Sequence, residues 1–167
     1  MALVVEDGSQ VTGANSYVSL DDARQYVFER GGDLSTADDS AAEATILKAM
    51  DYLESFAERF KGTRVSRDQS LSWPRSDVWI EEWYWNPTEI PRQVINAQMA
   101  LIYEINAGED PFNPPAPTTM PVVRTKVGPI EKQYAAPASV SKVQKTSQSS
   151  VHIRMLLKQS GLSIVRS

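Results

Sequence analysis

Few residues in this 167-residue sequence could carry out catalysis. It has one histidine, His152, and no cysteine, which removes most nucleophile–base pairs and most transition-metal sites. Adjacent carboxylates occur at Asp21-Asp22, Asp38-Asp39 and Glu81-Glu82, among other positions. The first two pairs lie at predicted helix N-termini, where negative charge complements the helix dipole. No phosphate-binding glycine loop, dinucleotide motif or zinc-protease motif is present. We therefore predict that the protein is not an enzyme and expect neither a cofactor nor a metal.

The tryptophan-rich segment is the most unusual feature of the sequence, since all four tryptophans lie within residues 73–85. A stacking platform for nucleic-acid bases, a core position and a protein contact are the candidate roles. Between Asp77 and Glu89 there are four acidic side chains and no Lys or Arg. Carboxylates repel phosphates, which favours a core or protein contact over base stacking. We predict a subunit or partner contact for an aromatic loop of Trp79, Trp83, Tyr84 and Trp85.

Helical periodicity and capping residues predict the elements that position this segment. The first helix begins after Ser19 and continues through Arg30, and the second runs from Asp38 or Ser40 to about Lys61. A third helix begins at Thr88 and ends at Gly108. Between the second and third helices, the prolines at 74 and 87 predict irregular structure. Within it, we expect a structural corner made of Trp73, Pro74 and Arg75.

The C-terminal part has a different composition. Five of the ten prolines lie in residues 111–121, which predicts a semi-rigid linker. Alternating apolar and charged residues around Gly128-Pro129 predict a hairpin, and a short last helix is predicted from Ser150 to Gln159, with Val151, Met155 and Leu156 aligned. We predict a mainly α fold: a small bundle of three to four helices with a short β-hairpin and an extended C-terminal arm. The expected domains are a helical body (1–110), a proline-rich linker (111–121), and the hairpin with a basic arm (122–167).

The charge distribution supports this division into body and arm. Residues 1–60 hold 12 acidic and 4 basic side chains, a net charge of −8. Residues 120–167 hold one acidic and eight basic side chains, a net charge of +7. Such asymmetry is typical of an interaction tail. The absence of cysteine favours a reducing cytoplasm, and no apolar run approaches the ~18 residues of a membrane span, so we expect no membrane partner.

Four segments occur in an order that resembles a family from tailed-phage genomes. They are "ALVVEDG…GANSYVSLDDARQY", "LSWPRSDV", "EIPRQVINAQMALIYEI" and "KVGPIEKQYA". The ordered match covers roughly residues 2–134, with a looser match at "LLKQSGLSIVRS". The family is often labelled "putative DnaT-like single-stranded-DNA-binding protein". Its members resemble head–tail connectors, also called adaptor or head-completion proteins.

The resemblance implies a structural virion protein that links the capsid to the tail around the DNA channel. The implied partners are further copies in a ring of typically twelve, the portal protein, and a tail-side connector or tail protein. Genomic double-stranded DNA would pass through without specific binding. The implied location is the virion, with the host cytoplasm during assembly. The arm would contact the portal or a neighbour through Val151, Ile153, Arg154, Met155, Leu156, Leu157, Leu162, Ile164, Val165 and Arg166.

The alternative is a single-stranded-DNA-binding accessory protein of phage replication. In this interpretation the exposed indoles of Trp79, Trp83 and Trp85 would stack on bases. The two hypotheses differ in whether the protein binds an oligonucleotide at moderate salt.

Overall fold

The computed structural model describes residues 2–113, 124–127, 130–133 and 147–158. The chain divides into two compact units. One contains the residues up to Phe112 together with those from Thr146 onward, and the other spans Asn113–Lys145. The first unit contains the helices and both surfaces discussed below.

The described residues form four α-helices and three small antiparallel strand pairs, so the predicted mainly α fold is confirmed. The helices are α1 (Leu20–Glu29), α2 (Asp39–Glu54), α3 (Arg92–Asn106) and α4 (Gln148–Leu156). The strands are β1 (Thr63–Arg64), β2 (Arg75–Ser76), β3 (Trp79–Ile80), β4 (Trp83–Tyr84), β5 (Arg124–Val127) and β6 (Ile130–Gln133).

Side-chain caps define where three of the helices begin. The Ser19 hydroxyl accepts a hydrogen bond from the Asp22 N–H at 3.1 Å, and the Asp38 carboxylate accepts one from the Ala41 N–H at 2.7 Å. Ser147 caps α4 in the same way. These bonds satisfy N–H groups that the first helical turn leaves unpaired. The predicted starts of the first two helices are confirmed.

The central helix is α3, which contacts α1, α2 and α4. Eight of its residues are buried, and this explains the two apolar stripes in its sequence. Two of the eight are polar, Gln93 and Gln98, and Gln98 is fully buried. Gln98 makes two hydrogen bonds to the N-terminal segment. Its side-chain oxygen accepts a hydrogen bond from the Tyr17 N–H and its nitrogen donates one to the Ser16 hydroxyl, both at 2.9 Å. The N-terminal segment is therefore attached directly to the centre of the bundle.

The end of α2 differs from the prediction. The helix ends at Glu54, a 3-10 turn covers Ala57–Arg59, and Phe60 has an extended backbone. Phe60 pairs with Leu157 in an antiparallel bridge. The Lys61 N–H donates to the Leu156 carbonyl at 2.9 Å and the Lys158 N–H donates to the Arg59 carbonyl at 2.8 Å. The apolar periodicity continues to Phe60, but this bridge needs an extended backbone there, so the helix cannot continue.

The start of the predicted arm belongs to the helical body. Helix α4 packs against α3, and its Ile153 and Leu156 side chains are buried in the same core as α2 and α3. The predicted alignment of Val151, Met155 and Leu156 is wrong, since Val151 and Met155 remain 36% and 45% exposed. The predicted boundary at residue 122 is corrected because residues 147–158 find apolar partners in the body. Residues 159–167 lie outside the described part of the chain.

Short strand pairs replace the irregular structure predicted between α2 and α3. Strand β1 pairs with β2, and β3 pairs with β4 in the register Trp79↔Tyr84 and Ile80↔Trp83. Asp77 and Glu81 adopt positive φ values of 57° and 58°, which let the chain turn tightly around two-residue strands. Strands this short show no sequence period. The hairpin predicted around Gly128-Pro129 is confirmed by the pairing of β5 with β6.

A buried polar network connects the N-terminal segment, α2 and the segment before β2. The Tyr17 hydroxyl accepts a hydrogen bond from the Trp73 N–H at 3.0 Å and donates one to the Glu54 carboxylate at 3.3 Å. The same carboxylate accepts from the Ser72 N–H at 3.0 Å and from the Ser72 hydroxyl at 2.5 Å. Burial, together with the nearby Glu54 charge, raises the pKa of Tyr17 well above 10.0.

Replacing Tyr17 by Phe should lower the free energy of unfolding by about 1–3 kcal/mol, because the buried Trp73 N–H loses its acceptor. The raised pKa also predicts a pH effect. The folded state keeps the Tyr17 proton where the unfolded chain loses it, so this contribution is complete below pH ~10 and is lost above it. As the pH rises above ~10, the free energy of unfolding should therefore fall less for the Tyr17→Phe variant than for the wild type.

Urea unfolding at about pH 8 and about pH 10.5 measures both effects. Tyr84→Phe is the matched control, because the Tyr84 ring is exposed, and it should change stability by no more than about 0.5 kcal/mol. Equal stability of the Tyr17→Phe variant and the wild type at about pH 8 would contradict the role of the network.

Candidate nucleic-acid interface

Three aromatic rings contact one another at the end of α2. The Tyr52 ring contacts Phe56 edge-on at 5.4 Å and Phe112 edge-on at 5.3 Å between ring centroids. Tyr52 lies in the last turn of α2, and Phe56 follows the end of the helix, just before the 3-10 turn. Both rings are partly buried, whereas Phe112 is 54% exposed. The row therefore presents aromatic surface to solvent.

Basic side chains lie where this row reaches the end of α2. The Arg59 guanidinium lies over the Phe56 ring, 5.5 Å from its centroid. The Phe60–Leu157 bridge places Lys61 and Lys158 beside Arg59 through the backbone hydrogen bonds described above. Arg154, in the last turn of α4, is exposed and lies four residues before Lys158 in the sequence. We call Tyr52, Phe56, Phe112, Arg59, Lys61, Arg154 and Lys158 together the basic–aromatic surface.

Of the cations of this surface, Lys158 donates a hydrogen bond from its ammonium group to the Glu58 carbonyl at 3.3 Å. Among the residues that the structure describes, the ion pairs do not involve Arg59, Lys61, Arg154 or Lys158. Residues 147–158 contain no acidic side chain. Glu58 is exposed beside Arg59, whereas the Glu54 carboxylate bonds to Ser72 and Tyr17. The surface therefore combines several cations and exposed rings, and acids also flank it: Glu58 beside Arg59, Asp51 beside Tyr52, and Glu109 and Asp110 before Phe112.

Sequence reasoning missed this surface because its cations are distant in the chain. Arg59 and Lys158 are almost a hundred residues apart in the sequence, and the sequence prediction assigned Lys158 to a separate domain, the hairpin and basic arm of residues 122–167. One local signal was available. Lys48, Tyr52 and Phe56 recur every four residues and continue to Arg59, which places cations at both ends of an aromatic row. Lys48 forms an ion pair with Asp110 at 3.2 Å.

Residues 78–85 form a second aromatic feature, the aromatic hairpin. Its rings of Trp79, Trp83 and Tyr84 are 59%, 74% and 51% exposed, and the Trp79 and Tyr84 rings meet edge-on at 5.7 Å. Val78 and Ile80 are buried and anchor the hairpin to the core. The Trp85 N–H donates to the Val78 carbonyl at 2.9 Å, and the Trp85 ring packs against the core.

Acidic residues surround the exposed rings of the aromatic hairpin. Glu81 and Glu82 form its tip, and Asp77 and Glu89 flank it in the sequence; all four are exposed. Because these carboxylates repel phosphates, the hairpin is a poor surface for nucleic acid despite its indoles. The two aromatic features therefore differ in charge: the charged residues flanking the exposed hairpin rings are acidic, whereas Arg59, Lys61 and Lys158 come together where the other surface meets the Phe60–Leu157 bridge.

Trp73, Pro74 and Arg75 occupy the predicted corner position between α2 and α3, and all three are buried. The Trp73 ring packs against Phe60, with 5.8 Å between ring centroids. The Arg75 side chain donates to the carbonyls of Lys61 and Gly62 at 2.8 and 2.9 Å, and burial lowers its pKa. Arg75 therefore holds the chain that follows Phe60 and is not available to a ligand.

The predicted arm residues are placed in three groups. Ile153 and Leu156 are buried in the core, and Leu157 is half-buried in the bridge. Val151, Arg154 and Met155 face solvent. The remaining four lie outside the described residues: Leu162, Ile164, Val165 and Arg166. Only the second group is free to contact a partner among the described arm residues.

A shallow groove of about 400 Å³ lies between the N-terminal segment and the start of α3. Glu6 lines it, but its buried carboxylate already accepts hydrogen bonds from the backbone N–H groups of Gly8, Gln10 and Val11. This acid therefore organises the loop 6–11. In the part of the chain that the structure describes, no acid–histidine cluster could hold a metal ion, and no helix is long and apolar enough to cross a membrane.

Comparison with known proteins identifies the family. The whole chain, residues 1–167, matches the sequence model of the family described as "Putative DnaT-like ssDNA binding protein". The protein belongs to this family. No curated protein and no solved structure matches the chain.

Replacing Leu156 by Ala should lower the free energy of unfolding by about 2–5 kcal/mol, because it leaves a cavity in the core between α4 and its neighbours. Met155→Ala, next to it on the exposed face, should change stability by no more than about 0.5 kcal/mol. Urea unfolding of the full chain measures both variants. Equal, small effects would mean that residues 147–158 do not belong to the body.

Proposed function

We propose that this protein binds single-stranded DNA and that the basic–aromatic surface is the contact site. The observation that carries the proposal is the Phe60–Leu157 bridge, which places the backbone of Lys158 beside Arg59, whose guanidinium lies over the Phe56 ring. The description of the family supports the ligand class. Proteins that bind single strands combine cations that contact the backbone with rings on which the bases stack.

In this function, Phe112 and Tyr52 contact bases, and Arg59, Lys61 and Lys158 contact phosphates. Stacking on an aromatic ring contributes about 1–3 kcal/mol per base, as judged by alanine substitution, and it does not depend on the base sequence. With about three phosphate contacts, the logarithm of the binding constant should fall with the logarithm of salt concentration with a slope of about −2. We expect modest affinity, little sequence preference and clear salt dependence.

Arg59→Gln should weaken binding of a fluorescent oligothymidylate several-fold and reduce the magnitude of the salt slope by about 0.7, because one phosphate contact is lost. Fluorescence anisotropy at several salt concentrations measures both quantities. Arg24→Gln is the matched control: it removes the same charge near Asp39, at the opposite end of α2.

The control variant should bind like the wild type. If the full chain bound no oligonucleotide at low salt, the proposed function would be wrong. If Arg59→Gln and Arg24→Gln weakened binding equally, the site would lie elsewhere.

A head–tail adaptor is the second candidate function. The observation that favours it is the aromatic hairpin, whose exposed rings lack neighbouring cations and have the composition of a protein contact. In this function, copies assemble into a ring on the portal protein, receive a tail-side connector or tail protein, and reside in the virion.

The adaptor function predicts that the protein, mixed with portal protein, forms a cap or ring visible by negative-stain electron microscopy. Trp79→Ala with Trp83→Ala should abolish the cap, because the rings that make the contact are removed. Phe28→Ala, which removes a ring that is 78% exposed on α1, is the control for loss of an exposed aromatic side chain. A portal that stays bare in the presence of the wild-type protein would exclude this function.

A further inference from the structure

The aromatic hairpin has a rigid base and an uncovered outer face. Val78 and Ile80 are buried, and the Trp85 N–H closes the hairpin on the Val78 carbonyl at 2.9 Å. Trp79, Trp83 and Tyr84 nevertheless remain more than half exposed. An anchored hairpin that exposes three large rings is typical of a surface that becomes covered on association.

The aromatic hairpin presents the same kinds of chemical group as single-stranded DNA, the ligand proposed for the basic–aromatic surface. Single-stranded DNA presents planar rings joined by anionic phosphates, and the hairpin presents planar indole and phenol rings joined to the Glu81 and Glu82 carboxylates. Arginine and lysine bind carboxylate oxygens through the same charge-assisted hydrogen bonds that they form with phosphates. Aromatic rings of the two surfaces can also pack edge-to-face. The charges of the two surfaces are therefore complementary within one sequence.

The partner that this complementarity implies is a second copy of the chain. In the described structure the hairpin rings are exposed, so the hairpin does not lie on the basic–aromatic surface of its own copy. Each copy keeps both an acidic donor surface and a basic acceptor surface. A contact between two different surfaces of identical chains is heterologous, and it extends to a chain of copies or closes into a ring.

We propose that the aromatic hairpin of one copy docks on the basic–aromatic surface of a second copy and acts there as a mimic of single-stranded DNA. The assignment of the acceptor surface rests on the proposed function, but the self-association itself depends only on the complementary charges. Single-stranded DNA and the neighbouring hairpin compete for the same cations and rings. DNA binding and self-association at this surface therefore exclude each other.

Two charge-reversed variants test the contact. Glu81→Lys with Glu82→Lys removes the donor surface but keeps the acceptor. Arg59→Glu with Lys158→Glu removes the acceptor but keeps the donor. Each should be monomeric in sedimentation velocity at low salt, where the wild type forms larger species. An equimolar mixture should form dimers or larger species, because the intact donor surface of one variant meets the intact acceptor surface of the other.

The control carries a comparable charge change away from both surfaces: Asp21→Lys with Glu29→Lys, two exposed acids on α1. It should associate like the wild type. An oligothymidylate added to the wild type should dissociate the larger species, and Glu81→Gln with Glu82→Gln should weaken self-association by about tenfold or more. A wild type that is monomeric at low salt and high concentration, or a mixture that stays monomeric, would overturn the inference.

The outcomes separate this inference from the proposed function. If the mixture forms dimers but no variant or wild type binds the oligonucleotide, self-association stands and single-stranded-DNA binding fails. If the oligonucleotide binds to a wild type that stays monomeric, the proposed function stands and the docked hairpin is excluded. If the larger species persisted unchanged with saturating oligonucleotide, single-stranded DNA and the hairpin would not compete for the same surface, and that part of the inference would be wrong.

Discussion

The antiparallel bridge between Phe60 and Leu157 is the contact on which the functional surface depends. It joins the end of α2 to the end of α4 through two backbone hydrogen bonds, from Lys61 to Leu156 and from Lys158 to Arg59. Phe60 is fully buried against Trp73, and Leu156 is fully buried in the core. The bridge therefore attaches a basic segment to the acidic first part of the chain and fixes where its cations lie.

The separation of charge in the sequence becomes two distinct surfaces in the fold. The acids of the aromatic hairpin remain around its exposed rings, while Arg59, Lys61 and Lys158 come together at the bridge that follows α2, next to the Phe56 ring that Arg59 covers. Buried polar groups keep the two features in place. The Tyr17–Glu54–Ser72 network supports the chain before β2, and Arg75 holds the carbonyls of Lys61 and Gly62. Exposed aromatic rings occur on both surfaces, so the charged residues around the rings, and not the rings alone, decide which ligand each surface binds.

The sequence predictions were correct for elements that depend on residues close together in the chain, and they were wrong where an element depends on a distant residue. The start of α1 depends on Ser19 and Asp22, three residues apart, and the hairpin of β5 and β6 is joined by two residues; both were predicted correctly. The end of α2 depends on Leu157, nearly a hundred residues later, and was wrong. The face of α4 was also wrong, because a nine-residue helix has too few apolar positions to define which side is buried.

The sequence by itself determined the mainly α class, the helix caps, the acidic setting of Trp79, Trp83 and Trp85, and the scarcity of catalytic residue types. These features depend on local spacing and on which residues are present. Only the tertiary structure decided that Trp73 is buried while Trp83 is exposed, and that Lys158 lies beside Arg59. Burial and proximity arise from packing between segments that are distant in the chain, and no local pattern encodes that distance.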